Sequence, residues 1–289
     1  MHRSQPVDSF TIAYHDTGPP DAASVVLLHG WPGDSHDYRA VVPLLANRYR
    51  VVVPDLRGFG ASDRHFVDPD TYYGPSAQAR SVAGLIDQLG LGAPIIGGYD
   101  VGSRVAQTLA TEHPDKVGGL VLSPPLPGIG ERWLAPDIVP ELWYLYLHRS
   151  PLSVRFIDGQ RDKVHDYLHY CWGHWSAPGF VVDEPEFERL VDDYARPGAF
   201  EASTNWYRVG PGYVARSLAE TPPDRAHRIS RPTHVLWPEL DPLFPRAWSD
   251  RLDEFFADVH LHPVDGIGHF TPLEAPAEFA RLIDLHGQG

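Results

Sequence analysis

The most constraining feature of this sequence is the alternation of short β-branched runs with longer amphipathic segments. The runs are bounded by Gly, Pro and Asp, and they predict buried strands at residues 24–28, 49–53, 94–99, 117–122, 233–237 and 259–264. Helical periodicity is evident between several of them, as at residues 76–89 and 101–112. This alternation predicts an α/β fold in which a mostly parallel sheet is flanked by helices.

Two segments depart from the alternation. Residues 10–14 precede a turn at 16–20 and predict an antiparallel edge strand. Residues 124–223 are rich in Trp, Tyr and His, are interrupted by prolines, and predict short helices without strands. We therefore expect a core formed by residues 1–123 and 224–289, with residues 124–223 inserted after Leu122 as a helical lid.

Composition excludes several classes of protein. The chain has 289 residues and a formal net charge of −14, and its cationic residues are scattered, so nucleic acid is not an expected partner. Cys171 is the single cysteine, which rules out an internal disulfide framework. The sequence has no long apolar run, so we expect neither a signal peptide nor a membrane span. We expect a cytoplasmic protein of open oligomeric state, with a homodimer as one option.

The stretch from Ile95 to Ala110 reads IIGGYDVGSRVAQTLA and carries the most chemical information. A strand runs through Gly98 and Asp100 into Gly102 and then directly into a helix, which is the pattern of a nucleophile elbow. Serine is the usual central residue, but here it is Asp100, and no G-x-S-x-G occurs elsewhere. A carboxylate suits displacement at a saturated carbon, and its attack leaves an alkyl ester that water must hydrolyse.

Hydrolysis of such an ester requires a base and an acid that orients it. His269 follows the last predicted strand, and Asp241 follows the strand before it, so both are expected at the same sheet edge as Asp100. Glu239 competes for the role of Asp241. Two backbone N–H groups should form the oxyanion hole, one from Val101 and one from Trp31, because the adjacent Pro32 has none.

Taken together, HGWP, PDLRGFGASD, GGYDVGSR, LDPLFP and GIGHF resemble the epoxide hydrolase branch of the α/β-hydrolase superfamily. The resemblance implies two lid tyrosines that donate hydrogen bonds to the epoxide oxygen. One lies in an N-W-Y-R motif of that family, which Asn205-Trp206-Tyr207-Arg208 matches, so the role falls to Tyr207. The other is expected seven positions before a proline, which indicates Tyr144, with Tyr146 as a competitor.

Related families share the aspartate nucleophile. Haloalkane dehalogenases hold the halide with a tryptophan after the nucleophile, where this chain has Val101. Haloacetate dehalogenases clamp the substrate carboxylate with two arginines, and only Arg104 matches one of them. The predicted function is therefore an epoxide hydrolase. A dehalogenase and a non-catalytic protein that binds a small ligand under its lid are the alternatives.

The lid composition also predicts the kind of substrate. The predicted lid contains five tryptophans, Trp133, Trp143, Trp172, Trp175 and Trp206. They predict an apolar, aromatic pocket, and we expect Trp143 and Trp206 to contact an apolar or aromatic epoxide there. Arg104 is a weaker candidate for substrate binding. No histidine spacing indicates a metal site. The resemblance implies that no cofactor is needed and that water is the second substrate.

Overall fold

The computed structural model describes residues 1–287. Its strands are β1 His2–Arg3, β2 Ala13–Thr17, β3 Ser24–Leu28, β4 Arg50–Pro54, β5 Ile95–Gly98, β6 Gly119–Leu122, β7 Thr233–Pro238 and β8 Val259–Val264. Its α-helices are α1 Val42–Leu45, α2 Pro69–Tyr72, α3 Pro75–Leu89, α4 Val101–Glu112, α5 Trp143–Arg149, α6 Pro151–Ile157, α7 Arg161–Trp175, α8 Glu184–Tyr194, α9 Ala199–Arg208, α10 Tyr213–Ala219, α11 Thr271–Glu274 and α12 Pro276–His286. Short 3-10 helices lie at Ser35–Tyr38, Pro114–Lys116, Gly130–Leu134, Val139–Leu142, Arg225–His227 and Arg246–Glu254.

All eight strands form one sheet in the order β1-β2-β4-β3-β5-β6-β7-β8. Strands β3 to β8 pair in parallel, whereas β1 and β2 run antiparallel to their neighbours. Strands β5 and β6 are buried at every position because helices cover both faces of the sheet, which explains their unbroken apolar sequence. The predicted α/β fold with a mostly parallel sheet is confirmed.

Strand β2 differs from the antiparallel edge strand that was predicted at residues 10–14. It spans Ala13–Thr17 and pairs on both sides, so β1 forms the edge. The left-handed φ angles of Asp8 and Ser9 turn the chain back on itself, and Phe10 packs edge-on against Tyr73 at the end of this turn. Phe10 is therefore buried in an aromatic cluster and does not begin the strand.

Helices α5 to α10 lie between β6 and β7, and we call residues 124–223 the lid. Helix α8 anchors the lid to the loop after β3. The Arg189 guanidinium pairs with the buried Asp34 carboxylate at 2.8 Å, and the Tyr194 hydroxyl donates to the Gly33 carbonyl at 3.0 Å. Within residues 1–287, no helix combines the length and the apolar character needed to cross a membrane.

Candidate active site

Asp100 occupies a strained turn between β5 and α4. Its φ and ψ angles are 48° and −121°, a backbone conformation that residues other than glycine rarely adopt. A Cβ on Gly98 would lie 2.5 Å from the Gly102 carbonyl oxygen, and one on Gly102 would lie 2.0 Å from that of Leu28. Glycine is therefore required on both sides of Asp100, and the turn lifts its carboxylate above the sheet edge.

The loop after β3 supplies a backbone donor to this carboxylate. The N–H of Trp31, one of the two residues predicted to form the oxyanion hole, donates to Asp100 Oδ1 at 2.7 Å. Val101 is the first residue of α4, so its N–H has no acceptor within the helix. The buried His29 ring fixes the loop, because it contacts the Gly30 carbonyl at 2.9 Å and accepts from the Leu56 N–H at 3.0 Å.

His269 lies between two carboxylates at the carboxyl edge of the sheet. Its Nδ1 is 2.8 Å from Asp241 Oδ2, and its Nε2 is 3.6 Å from Asp100 Oδ2. The other Asp241 oxygen accepts the Leu243 N–H at 2.8 Å, which fixes the carboxylate in this orientation. The competing Glu239 is exposed and accepts instead from the Gly266 N–H at 2.8 Å. The three side chains are thus arranged as an aspartate, histidine, aspartate triad.

The charges around His269 decide its protonation. Burial alone would lower the pKa of the imidazole, but the Asp241 carboxylate, which is hydrogen-bonded to Nδ1, and the nearby Asp100 carboxylate outweigh burial and raise the pKa to about 10. The raised pKa means that His269 favours the imidazolium form beside these two carboxylates. It can become a base only when one of its negative neighbours loses its charge.

Two contacts that hold the His269 loop were missed by sequence reasoning. Glu274 accepts the N–H groups of Gly268, Phe270 and Ala177 at 2.7 to 3.0 Å, and it thereby ties this loop to the lid. The Trp175 carbonyl, at the end of α7, accepts the His269 N–H at 2.8 Å. A glutamate five residues after His269 carries no sequence signal of its own, because its partners are backbone groups brought together by the fold.

A small cavity lies above Asp100, between the sheet edge and the lid, and we call it the Asp100 cavity. Its lid wall includes Tyr144, Leu145, Trp206, Tyr207 and Tyr213, of which Leu145 and Tyr213 were not predicted. The cavity volume is about 10 Å³, room for roughly one water molecule.

Tyr144 and Tyr207 pack edge-on against each other in this wall, with ring centroids 5.8 Å apart. Burial, followed by the charge of Asp100, raises the pKa of both phenols well above 10. Both hydroxyls therefore stay protonated and can donate a hydrogen bond. Tyr146 is 64% exposed whereas Tyr144 is 4% exposed, and Tyr144, not its competitor, lines the Asp100 cavity.

The five tryptophans of the lid lie in three kinds of location. Trp206 lines the Asp100 cavity, and Trp175 packs against Tyr144 with a centroid distance of 4.9 Å. Trp143 lies instead on an outer groove of the lid with Phe156 and Tyr170, which corrects its predicted contact with substrate. The helical period explains the error, since adjacent residues of α5 point in different directions. The remaining two, Trp133 and Trp172, are buried in packing contacts.

Arg104 lines the Asp100 cavity, but its charge is already paired. The guanidinium lies 3.3 Å from the Glu220 carboxylate and donates to the Gln107 side chain at 3.1 Å. Glu220 also accepts the Gly128 N–H at 2.9 Å, so the pair joins α4 to both ends of the lid. In this arrangement the guanidinium is not free to clamp an anionic substrate.

Comparison with known proteins identifies the family. A family model described as the alpha/beta hydrolase fold matches residues 23–276, and the chain belongs to this family. It is 31% identical over 271 residues to a fluoroacetate dehalogenase of a Burkholderia species, covering 90% of this chain and 85% of that protein. It is 25% identical over 287 residues to a soluble epoxide hydrolase of Corynebacterium sp. strain C12, covering 95% and 93%.

A solved structure of an epoxide hydrolase from metagenomes of hot environments superposes with a TM-score of 0.84 at 24% identity, covering 100% of this chain and 98% of that one. That likeness shows the fold. The predicted α/β-hydrolase fold is thus confirmed, as is the resemblance to the branch that contains epoxide hydrolases and dehalogenases. Fold and family together define a hydrolase.

Proposed function

We propose that this protein is an epoxide hydrolase that opens an epoxide to a vicinal diol. The observation that carries the proposal is the pair of protonated phenols, Tyr144 and Tyr207, that line one small cavity with the Asp100 carboxylate. A strained ether needs a nucleophile on one side and a proton donor to the departing oxygen on the other. This pairing supplies both.

In the first half-reaction, an Asp100 oxygen attacks one ring carbon and the bond from that carbon to the ring oxygen breaks. The developing alkoxide takes a hydrogen bond, and then a proton, from Tyr207 or Tyr144. The product is a hydroxyalkyl ester of Asp100. Ester formation removes the negative charge of Asp100, which helps to raise the pKa of His269, so that pKa falls. The proton that the imidazolium then loses restores the phenol of the donating tyrosine, and the neutral imidazole becomes available as a base.

In the second half-reaction, His269 removes a proton from water, and the water oxygen attacks the ester carbonyl carbon of Asp100. The Asp241 carboxylate stabilises the imidazolium that forms. The N–H groups of Trp31 and Val101 hold the oxyanion of the tetrahedral intermediate. When this intermediate collapses, the bond from the carbonyl carbon to the diol oxygen breaks, and that oxygen takes the second proton of the water. The diol is released, and the Asp100 carboxylate is restored with one oxygen from water.

Dehalogenation is the second candidate, and the relative at 31% identity favours it. The same Asp100 would displace a halide, and the same His269 would hydrolyse the ester. A haloacetate would also require a free cation for its carboxylate, whereas Arg104 is paired with Glu220. The paired arginine and the two phenols together favour a neutral oxygen leaving group over an anionic haloacid.

Product analysis tests the proposal. Purified protein would be incubated with 1,2-epoxyhexane or styrene oxide and, separately, with fluoroacetate or 1-chlorobutane, with Asp100→Ala as the control. We expect diol from an epoxide, and none above background with the variant. Halide release without any diol would contradict the proposal and assign a dehalogenase. No product from either class would favour a ligand-binding role.

A further inference from the structure

A second cavity adjoins the Asp100 cavity within the lid, and we call it the lid cavity. Leu145 and Tyr213 line both cavities and so form the wall between them. The lid cavity has a volume of about 340 Å³, whereas the Asp100 cavity has about 10 Å³. An epoxide whose ring carbon reaches Asp100 must therefore extend its substituent out of the Asp100 cavity.

The lining of the lid cavity defines what it can bind. Leu134, Val214 and Leu218 contribute to it, and Leu134 and Leu218 are 57% and 41% exposed, an unusual exposure for large apolar side chains grouped at one opening. Its charged residue, Arg149, is committed to backbone carbonyls of the lid, those of Tyr207 at 2.7 Å and Gly210 at 2.9 Å. The other residues that line the lid cavity carry no charge.

A third cavity, which we call the polar cavity, meets the Asp100 cavity at Arg104 and has a volume of about 300 Å³. Its lining includes Thr108, Thr111 and His227. The ion pair of Arg104 with Glu220 stands between this cavity and Asp100, and an apolar group that passed there would have to separate the two charges. A group that passed from the Asp100 cavity into the lid cavity would displace Leu145 and the Tyr213 ring instead. This movement separates no ion pair.

We infer that the lid cavity is the binding site for an uncharged alkyl or aryl substituent of the epoxide, and that it selects substrates by the length of that substituent. The inference rests on the proposed function and adds a substrate class to it. Each methylene buried in such a site should improve binding by roughly fourfold. Epoxides with long apolar substituents should therefore be preferred to short ones.

The test uses a variant that fills the lid cavity without touching the catalytic groups. Leu218→Trp places a large ring at its exposed rim, and His227→Trp is the matched control at an exposed residue of the polar cavity. We expect Leu218→Trp to lower kcat/KM for 1,2-epoxydecane by about tenfold or more, and to leave kcat/KM for 1,2-epoxypropane within about twofold. His227→Trp should leave both values unchanged.

A binding measurement without turnover accompanies the kinetics. The affinity of wild-type protein for 1,2-decanediol should exceed that for 1,2-propanediol, and Leu218→Trp should remove most of the difference. Equal losses for long and short substrates, or a loss confined to His227→Trp, would overturn the inference and leave the proposed function standing. Failure of the wild-type protein to hydrolyse any epoxide would overturn both.

Discussion

The two walls of the Asp100 cavity are built on different physical principles. On the core side, Asp100, Asp241 and His269 interact through charge, and each is fixed by backbone hydrogen bonds at the ends of parallel strands. On the lid side, Tyr144 and Tyr207 are uncharged and are held by aromatic packing. In the proposed mechanism, the core side performs the ester chemistry, while the lid side supplies neutral donors and the shape that a substrate must fit.

Removing the Asp100 carboxylate, the proposed nucleophile, should have the largest effect, because it abolishes the contribution of the core side. We expect Asp100→Ala to lower the turnover of an epoxide by about 10⁴-fold or more, since no ester can form. Steady-state diol production measures this loss. Substantial residual turnover in a preparation free of wild-type protein would show that another group attacks the substrate.

Removing one donor from the lid side should have a smaller effect. We expect Tyr207→Phe to lower kcat by about 10²-fold, because one hydrogen bond to the developing alkoxide is lost while Tyr144 remains. Tyr170→Phe is the control, since Tyr170 is 52% exposed on the outer groove of the lid. If the two variants behaved alike, the phenol of Tyr207 would have no part in ring opening.

Loosening the anchor between the two walls should reduce stability. Arg189→Ala leaves the Asp34 carboxylate buried without its guanidinium partner, and we expect the free energy of unfolding to fall by about 1 to 3 kcal/mol. Urea denaturation would measure the change, with the more exposed Arg196→Ala as the control. Equal stability of the two variants would mean that the ion pair with Asp34 does not hold the lid.

We also expect His269 to make the stability of the protein depend on pH. The folded pKa of His269 is about 10, above the unfolded value of 6.5, so its stabilising contribution is complete below about pH 6.5 and is lost as the pH rises toward 10. His269→Gln should therefore lose less stability than wild-type protein across this interval. Parallel losses in urea unfolding experiments across it would contradict the raised pKa.

Sequence reasoning found the core side more completely than the lid side, for a physical reason. The elbow glycines, Asp100 and His269 are local requirements of a turn or a strand end, so short motifs reveal them. Trp143 was misplaced because α5 alone does not show which of its faces meets the core. Glu274, Leu145 and Tyr213 act through contacts between distant segments, and no local pattern predicts such contacts.

Isotope labelling of Asp100 tests the covalent mechanism most directly. Protein in excess over epoxide would complete a single turnover in water enriched in ¹⁸O, and the peptide that contains Asp100 would then be analysed by mass spectrometry. The mechanism predicts ¹⁸O in the Asp100 carboxylate and no solvent oxygen in the first diol released, because the diol oxygens come from the ring and from the original carboxylate. Solvent ¹⁸O in that first diol, with unlabelled Asp100, would contradict attack by Asp100.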